Sequence, residues 1–389
     1  MRSSSLFYAA LAVSVASAQS GNPNLTAALG AQGNLSILTQ LVSQNTQLLS
    51  ALQGLSNVTL LAPSNQAFQG YLNSSSANQT LAADMNAILQ YHVLNGTYYA
   101  SNFTENSTFI HTTLTNDSYT TVTNGQVIEA FANNNTVTFY SALKQNSTVT
   151  TPNLNFTGGV IHIIDNLLSI PQNLTATAQQ SNLTALSGAI QSANLGTTLG
   201  DLSDVTVFAP NNEAFQSIAS VLSNASQAAL SSILSYHIVN NSVLYSSDIT
   251  SNTTLPTLGG GNITITLLNN SIFVNSARVV NPDVLIAPGV VHVIDGVLSP
   301  NNTSAAPNAT ASTAAPAFTG ASSASDIPFT SGQPTPSSSV PAAGTATTGA
   351  GGGAASRTSS SSAGAWMPAK TGAVGAAALF GGAAMVVNW

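Results

Sequence analysis

Cysteine is absent from all 389 residues, which removes disulfides, thiolate metal sites and cysteine nucleophiles together. Charge is almost as scarce, at 4% of residues and a formal net of −7. Five cations cannot build the basic surface that nucleic acid requires, and without Arg2 and Lys370 in the terminal segments the net falls to about −9. Carboxylates are too few for convincing glycosidase pairs. No Gly-x-Ser-x-Gly, phosphate-binding loop or His-Glu-x-x-His occurs, so no reaction class and no cofactor is implied. Such a chain has to hold its fold by packing alone, which two units of about 140 residues each can do.

What is present occurs twice. Val205-Thr206-Val207-Phe208-Ala209-Pro210-Asn211-Asn212-Glu213-Ala214-Phe215 repeats the earlier Val58-Thr59-Leu60-Leu61-Ala62-Pro63-Ser64-Asn65-Gln66-Ala67-Phe68. Each copy is followed by a Tyr-His pair, Tyr91-His92 and Tyr236-His237, then by an apolar run ending in His-x-x-Asp: His162 to Asp165 and His292 to Asp295. Three landmarks in the same order, over more than a hundred residues, describe a duplicated domain and not a short solenoid repeat. Together they resemble the fasciclin (FAS1) family: its first box, its Tyr-His motif and its second box. The resemblance covers roughly residues 20 to 300.

Leucines spaced by three and four open each copy, at 35–52 and 183–202, and predict amphipathic helices. The run 205–208 predicts a buried strand that Pro210 ends, as Pro63 does earlier. Asn211 or Asn212, like Ser64 or Asn65, is placed to cap the next helix, with Phe215 and Phe68 on its inward face. Further helices are expected over 81–89 and 228–234. Alternating segments such as 263–267 and 137–140 predict strands, with Gly259-Gly260-Gly261, Asn124-Gly125 and Asn269-Asn270 as hairpin turns. Helices first and strands later predict an α+β domain, mostly antiparallel. The resemblance implies the same thing, a β-sandwich wedge with flanking helices. His92 to His162 spans 70 positions and His237 to His292 spans 55, so copy one carries about fifteen extra residues. Dense in Asn-x-Ser/Thr, they are expected to form a larger, sugar-decorated surface loop.

The boundaries expected are a signal peptide over 1–18, domain one over 19–170 and domain two over 171–300. A disordered, O-glycosylated Ser/Thr/Pro-rich stalk over 301–362 and a propeptide over 363–389 complete the chain. Arg2, the short apolar stretch to Val15 and Ala16-Ser17-Ala18 carry the first expectation. The apolar tail 373–387, with no basic cluster after it and small residues before it, carries the last: a glycosylphosphatidylinositol (GPI) signal attached at Ser362, with Ser361 and Ala363 as neighbours and a tail-anchored span as the alternative. N-glycosylation is expected at many sequons, among them Asn57, Asn95, Asn102, Asn106, Asn116, Asn134, Asn146, Asn155, Asn182, Asn224, Asn252 and Asn262. Stalk composition and the absence of cysteine suggest a fungal source.

His162 with Asp165, and His292 with Asp295, invite a metal or acid-base reading. Residues three apart on a strand face opposite ways, however, and the resemblance marks this box as structural. In animal members of the family the Tyr-His region and an Asn-x-Asp-Ile/Val-Leu segment are implicated in integrin recognition. By that resemblance Tyr236, His237, Asn281, Asp283, Val284 and Leu285 form a candidate adhesive contact, against the alternative of packing. Copy one offers Asn153-Leu154-Asn155 in place of the segment, so its acid is lost. The expected role is adhesion, or organisation of matrix or cell wall, at the outer face of the membrane. The partners would be surface, matrix or wall components, protein or polysaccharide, with the membrane reached through the GPI anchor. A structural wall mannoprotein is the alternative, and an enzyme acting on wall polysaccharide a remote one.

Overall fold

The computed structural model describes residues 21–336 apart from 45, 55, 74–84, 304–305, 311–313 and 315. Each repeat joins a helical layer, interrupted in the chain by its first strand, to one seven-stranded sheet. In repeat one the strands are β1 (Val58–Pro63), β2 (Val93–Asn95), β3 (Thr108–His111), β4 (Val127–Asn133), β5 (Thr136–Tyr140), β6 (Asn146–Phe156) and β7 (Gly159–Ile164). Repeat two has β8 (Val205–Pro210), β9 (Ile238–Val239), β10 (Thr253–Pro256), β11 (Asn262–Leu268), β12 (Ser271–Val274), β13 (Ala277–Ile286) and β14 (Gly289–Ile294). The orders correspond: β2-β1-β7-β6-β5-β4-β3 and β9-β8-β14-β13-β12-β11-β10.

The two boxes pair with each other. β1 and β7 run parallel with Leu61 opposite His162, as do β8 and β14 with Phe208 opposite His292; the remaining pairs are antiparallel. Both box strands are buried on both faces, which explains their continuous apolar runs. Leu60 and Ala62 face the helices while Leu61 faces the sheet's interior, so the period of two divides each repeat into two cores. The sheet rolls on itself: Thr113 N donates to Val93 O (2.8 Å), and Leu258 N to Ile238 O (2.7 Å) in repeat two. A Cβ on Gly159 would lie 1.9 Å from Val58 O, and one on Gly289 2.0 Å from Val205 O, so the parallel pair closes only on glycine.

Capping residues divide their work. Ser64 Oγ and Asn211 Oδ1 accept from Ala67 N (3.2 Å) and Ala214 N (2.8 Å), capping their own helices. The adjacent Asn65 and Asn212 reach the second α-helix of the repeat, Ser36–Gln44 or Thr184–Ser192, accepting from Ile37 N and Ala185 N (3.0 Å each). Phe68 and Phe215 are buried beneath them. Of the helix expected over 81–89, Met85–Tyr91 is described and 81–84 lie outside the described residues; its counterpart is Gln227–Tyr236.

Three expectations need correction. Asn124-Gly125 turns within the long β3–β4 connection and is not itself a two-residue hairpin. The two-residue turn in this half is Asn134-Asn135, with φ of 48° and 63°, matched by Asn269-Asn270 at 50° and 60°.

The extra residues of repeat one are not simply a surface loop. Counted between register-equivalent positions, ten lie in the β3–β4 connection 112–126 and five in the β5–β6 connection 141–145. Both connections pack against repeat two. A length difference locates an insertion along the chain but says nothing about which side it faces.

The expected disordered stalk also does not begin at 301. Residues 316–336 lie along the helices of repeat two. Phe329 meets Phe215 edge-on at 6.3 Å, and Ser322 N donates to Ser220 Oγ (2.9 Å). Gln216 Nε2 donates to Ala324 O and Ser325 O (3.1 Å each). A Cβ on Gly188 would meet Phe329 O at 1.9 Å, so this strap sits directly on the helix backbone. Phe318, Ile327 and Phe329, three isolated anchors, are diluted in any average over a Ser/Thr/Ala/Pro-rich segment.

Candidate functional site: the Tyr-His latch and the face between the repeats

Tyr91 and Tyr236 end their helices and are fully buried, each donating its hydroxyl to the first residue of a strand two further along the sequence than the one it leads into, β4 or β11: Val127 O (3.0 Å) and Asn262 O (2.6 Å). Burial raises the pKa of both phenols. The adjacent histidines form the second half of the latch. His92 Nδ1 meets Ile88 O (2.7 Å) while its Nε2 accepts from Leu168 N (3.0 Å). His237 repeats this with Ile233 O (2.8 Å) and Leu298 N (2.9 Å). Because Nε2 accepts from an amide, the proton must sit on Nδ1, and the ring is neutral. Desolvation lowers both imidazoles to about 4. Each ring ties the end of a helix to the chain just past the second box.

His162 and His292 take the opposite tautomer. Nδ1 accepts from Asn153 N and Asp283 N (3.3 Å each), and Nε2 donates to Tyr98 O (2.8 Å) and Leu244 O (2.7 Å). Asp165 and Asp295 point elsewhere, receiving Thr148 N and Arg278 N (2.7 Å each) where the preceding long strand begins. The structure therefore does not bring either His-x-x-Asp pair together. Among the described residues no group of three His, Asp or Glu is placed to hold a metal.

The candidate adhesive residues are interior. Asn281 is 5% exposed, Asp283, Val284 and Leu285 are 1%, and Tyr236 and His237 are 0% and 2%. Asp283 accepts from Ser246 N (2.8 Å) and Ser246 Oγ, and its carboxylate lies 4.0 Å from His292. As an exposed contact the segment is corrected to a packing element, because nothing outside can reach these side chains. Register also corrects the comparison with repeat one. Asn153 is the counterpart of Asp283, not of Asn281: both have φ near 60°, both amides meet the box-two histidine, and Asn153 Oδ1 accepts from Ala100 N (2.8 Å) as Asp283 does from Ser246.

Leu285 faces repeat one. It forms an apolar cluster with Val127, Tyr245 and Val290, flanked by Phe109 and Val243, and Tyr245 stacks on Phe109 at 4.0 Å. Polar bonds from the insertion surround it. Thr123 N and Oγ1 donate to Asp204 (2.8 and 2.6 Å), Thr121 Oγ1 to Leu202 O (2.9 Å), and Gln126 Nε2 to Ile286 O (3.1 Å). An apolar centre ringed by hydrogen-bonded polar groups is the anatomy of a specific interface, with the buried Tyr245 hydroxyl in the middle of it left without a partner among the described residues. Sequence reading missed it, because Phe109, Tyr245 and Thr123 belong to no motif.

All twelve sequon asparagines named above are exposed. The buried asparagines Asn212, Asn275 and Asn281 are not in sequons. Ser362, the expected signal peptide 1–18 and the expected propeptide 363–389 lie outside the described residues. Among the described residues no helix is long and apolar enough to cross a membrane.

The fasciclin domain model matches residues 33–171 and 181–300. A fasciclin-like arabinogalactan protein of Arthroderma benhamiae is 36% identical over 325 residues, covering 82% of this chain and 76% of that one. A second, from Phaeosphaeria nodorum, is 31% identical over 277 residues, covering 71% and 88%. The transforming growth factor-beta-induced protein ig-h3 of Sus scrofa is 34% identical over 149 residues, 36% of this chain and 21% of that protein. A solved FAS1 domain pair from the insect cell adhesion molecule Fasciclin I covers 69% of this chain and 97% of its own at 19% identity and a TM-score of 0.33.

Proposed function

The chain belongs to the fasciclin domain family, and from that premise we propose that it is a secreted surface protein which works by touching its surroundings, in adhesion or in organising a cell wall or matrix, and catalyses nothing. The observation that carries this reading is the use made of its reactive side chains. All four box and Tyr-His histidines are spent on backbone hydrogen bonds inside the fold, and the two repeats lock into one body. Relatives named as fasciclin-like arabinogalactan proteins support a place at the cell surface or wall. Residues 1–18 serve as the secretion signal, Ser362 receives a GPI anchor, and the segment past 336 is the stalk. Many anchored copies add weak contacts through avidity, since tethering raises effective concentration.

A second reading, a wall mannoprotein whose sugars outweigh any protein contact, is favoured by the exposure of all twelve named sequons. One experiment separates the two. The full chain is bound to wall and membrane fractions before and after enzymatic removal of N-glycans. Retained binding supports protein contact; binding lost with the sugars, at unchanged melting temperature, transfers the role to them. Release from cells by phosphatidylinositol-specific phospholipase C or by wall glucanase tests the anchor, and resistance to both would remove it.

A further inference from the structure

The two repeats dock head to tail, so each contributes a different face and each keeps the other face unpaired. The backbone register shows what occupies those free faces. Val205 and Val58 hold equivalent places opposite Gly289 and Gly159, so Asp204, which binds Thr123, corresponds to Asn57; their φ values are 51° and 60°. Leu285 pairs with Val290 as Asn155 pairs with Val160, so Leu285 corresponds to Asn155. On the opposite face Val127 and Asn262 are equivalent, each accepting the buried tyrosine hydroxyl. Phe109, two residues before the end of β3, corresponds to Thr254, two before the end of β10.

Every one of these counterparts belongs to a sequon. Asn57, Asn155 and Asn262 are sequon asparagines, and Thr254 is the hydroxyl residue of the sequon at Asn252. The asparagines are exposed, and Tyr99, the counterpart of the buried Tyr245, is 41% exposed with its hydroxyl on Asn155 Oδ1 (3.0 Å). That bond uses the amide oxygen and leaves Nδ2 for a sugar; Asn57 likewise spends Oδ1 on Thr97 N (3.1 Å). Residues that make the interface in one repeat are therefore replaced by glycan acceptors in the other, at both open ends of the stack.

We propose that N-linked oligosaccharides on Asn57, Asn155 and Asn262 seal the two unpaired faces and hold the stack at one pair of repeats, so that a second copy of the chain cannot add to either end. In the modification the side-chain Nδ2 attacks the anomeric carbon of a lipid-linked oligosaccharide. A C–N bond forms, the C–O bond to the lipid pyrophosphate breaks, and the amide loses one proton, with no oxidation or reduction. A bulky hydrated oligosaccharide at the place of Leu285 or Val127 excludes the close apolar contact that Tyr245 makes with Phe109.

The inference rests on the extracellular reading, and the test separates the two. The full chain is expressed in a eukaryotic host, and its glycopeptides are mapped by mass spectrometry after enzymatic release in heavy-oxygen water. Sedimentation velocity then follows the wild type, a control Asn182→Gln, and a variant carrying Asn57→Asp, Asn155→Leu, Thr254→Phe and Asn262→Val, which removes the sugars and installs the interface residues. Sugar is expected at all three sites, with the wild type and control monomeric and the quadruple variant's weight-average mass rising with concentration toward at least twice the monomer's. Bare Asn57, Asn155 and Asn262 beside sequons that do carry sugar would overturn the proposal. So would a quadruple variant that melts cooperatively yet stays monomeric at every concentration. No sugar on any sequon would sink the extracellular reading itself, and the proposal with it.

Discussion

Tyr99 and Tyr245 hold equivalent places in the two repeats and meet opposite fates: one stands 41% exposed beside a sequon, the other is buried in a stack on a neighbouring ring. Around each, the backbone is the same. Tyr98 O and Leu244 O receive the box-two histidines, and Ala100 N and Ser246 N are capped by Asn153 and Asp283. The scaffold thus fixes where the aromatic goes, while fifteen inserted residues and a few surface substitutions decide whether it is an interface or an end. What the repeats share should be what holds the fold, and what separates them should be what sets the assembly.

The shared part is the place to look for the largest effects. Gly159→Ala and Gly289→Ala each drive a methyl into a backbone carbonyl at the parallel pair that both cores depend on. Each should cost more than about 4 kcal/mol, the range reserved for disrupted backbone packing. Denaturant titration of the two variants checks this. Equal losses would confirm that the repeats are built alike, and a tolerated substitution in one alone would show that its parallel pair opens at little cost.

Acid should act on both repeats together. His92 and His237 are held neutral with pKa near 4, below the unfolded value of about 6.5, so the unfolded chain takes up protons that the fold refuses. Their contribution is complete above pH 6.5 and falls away as pH drops toward 4, by on the order of 3 kcal/mol for each ring. Thermal melts across that window read the loss. A midpoint independent of pH between 6.5 and 4 would mean that the rings are already protonated or exposed.

Much of this shared part was legible in the sequence. Continuous apolar runs ended by proline mark β1 and β8, and Ser64 and Asn211 sit where caps were expected. The parallel pairing of box one with box two was not legible, because a strand buried on both faces shows no alternation and its partner lies about a hundred residues away. Nor was the contact between repeats: Phe109, Thr123 and Tyr245 belong to no motif or periodic run that would mark them as a contact. Matching Asn153 to Asn281 by residue type failed for a related reason. Hydrogen-bond register, not side-chain identity, decides equivalence, and it pairs an asparagine with an aspartate.

The unshared part is sharpened by one pair of variants. Tyr245→Ala removes a buried ring and should cost about 2–3 kcal/mol, with the two repeats losing their joint unfolding transition. Tyr99→Ala removes an equivalent ring from an unpaired face and should cost under about 1 kcal/mol. Equal costs would mean that the interface contributes little to the stability of the pair.

The smallest effect expected is the most discriminating for the segment that resembles an adhesive motif. Asp283→Asn places in repeat two the residue that repeat one already uses at that position. An amide keeps the oxygen that accepts Ser246 N, and the Ser246 hydroxyl can turn from donor to acceptor for the new NH2. The change should therefore cost under about 1 kcal/mol, whereas Asp283→Ala strands both Ser246 groups and should cost about 2–3 kcal/mol. Binding to wall or matrix fractions, measured beside melting, decides between cap and contact. If Asp283→Asn melts like wild type and binds like it, the carboxylate is a cap. If binding is lost at unchanged stability, the charge reaches a partner after all, and the buried face must open to let it do so.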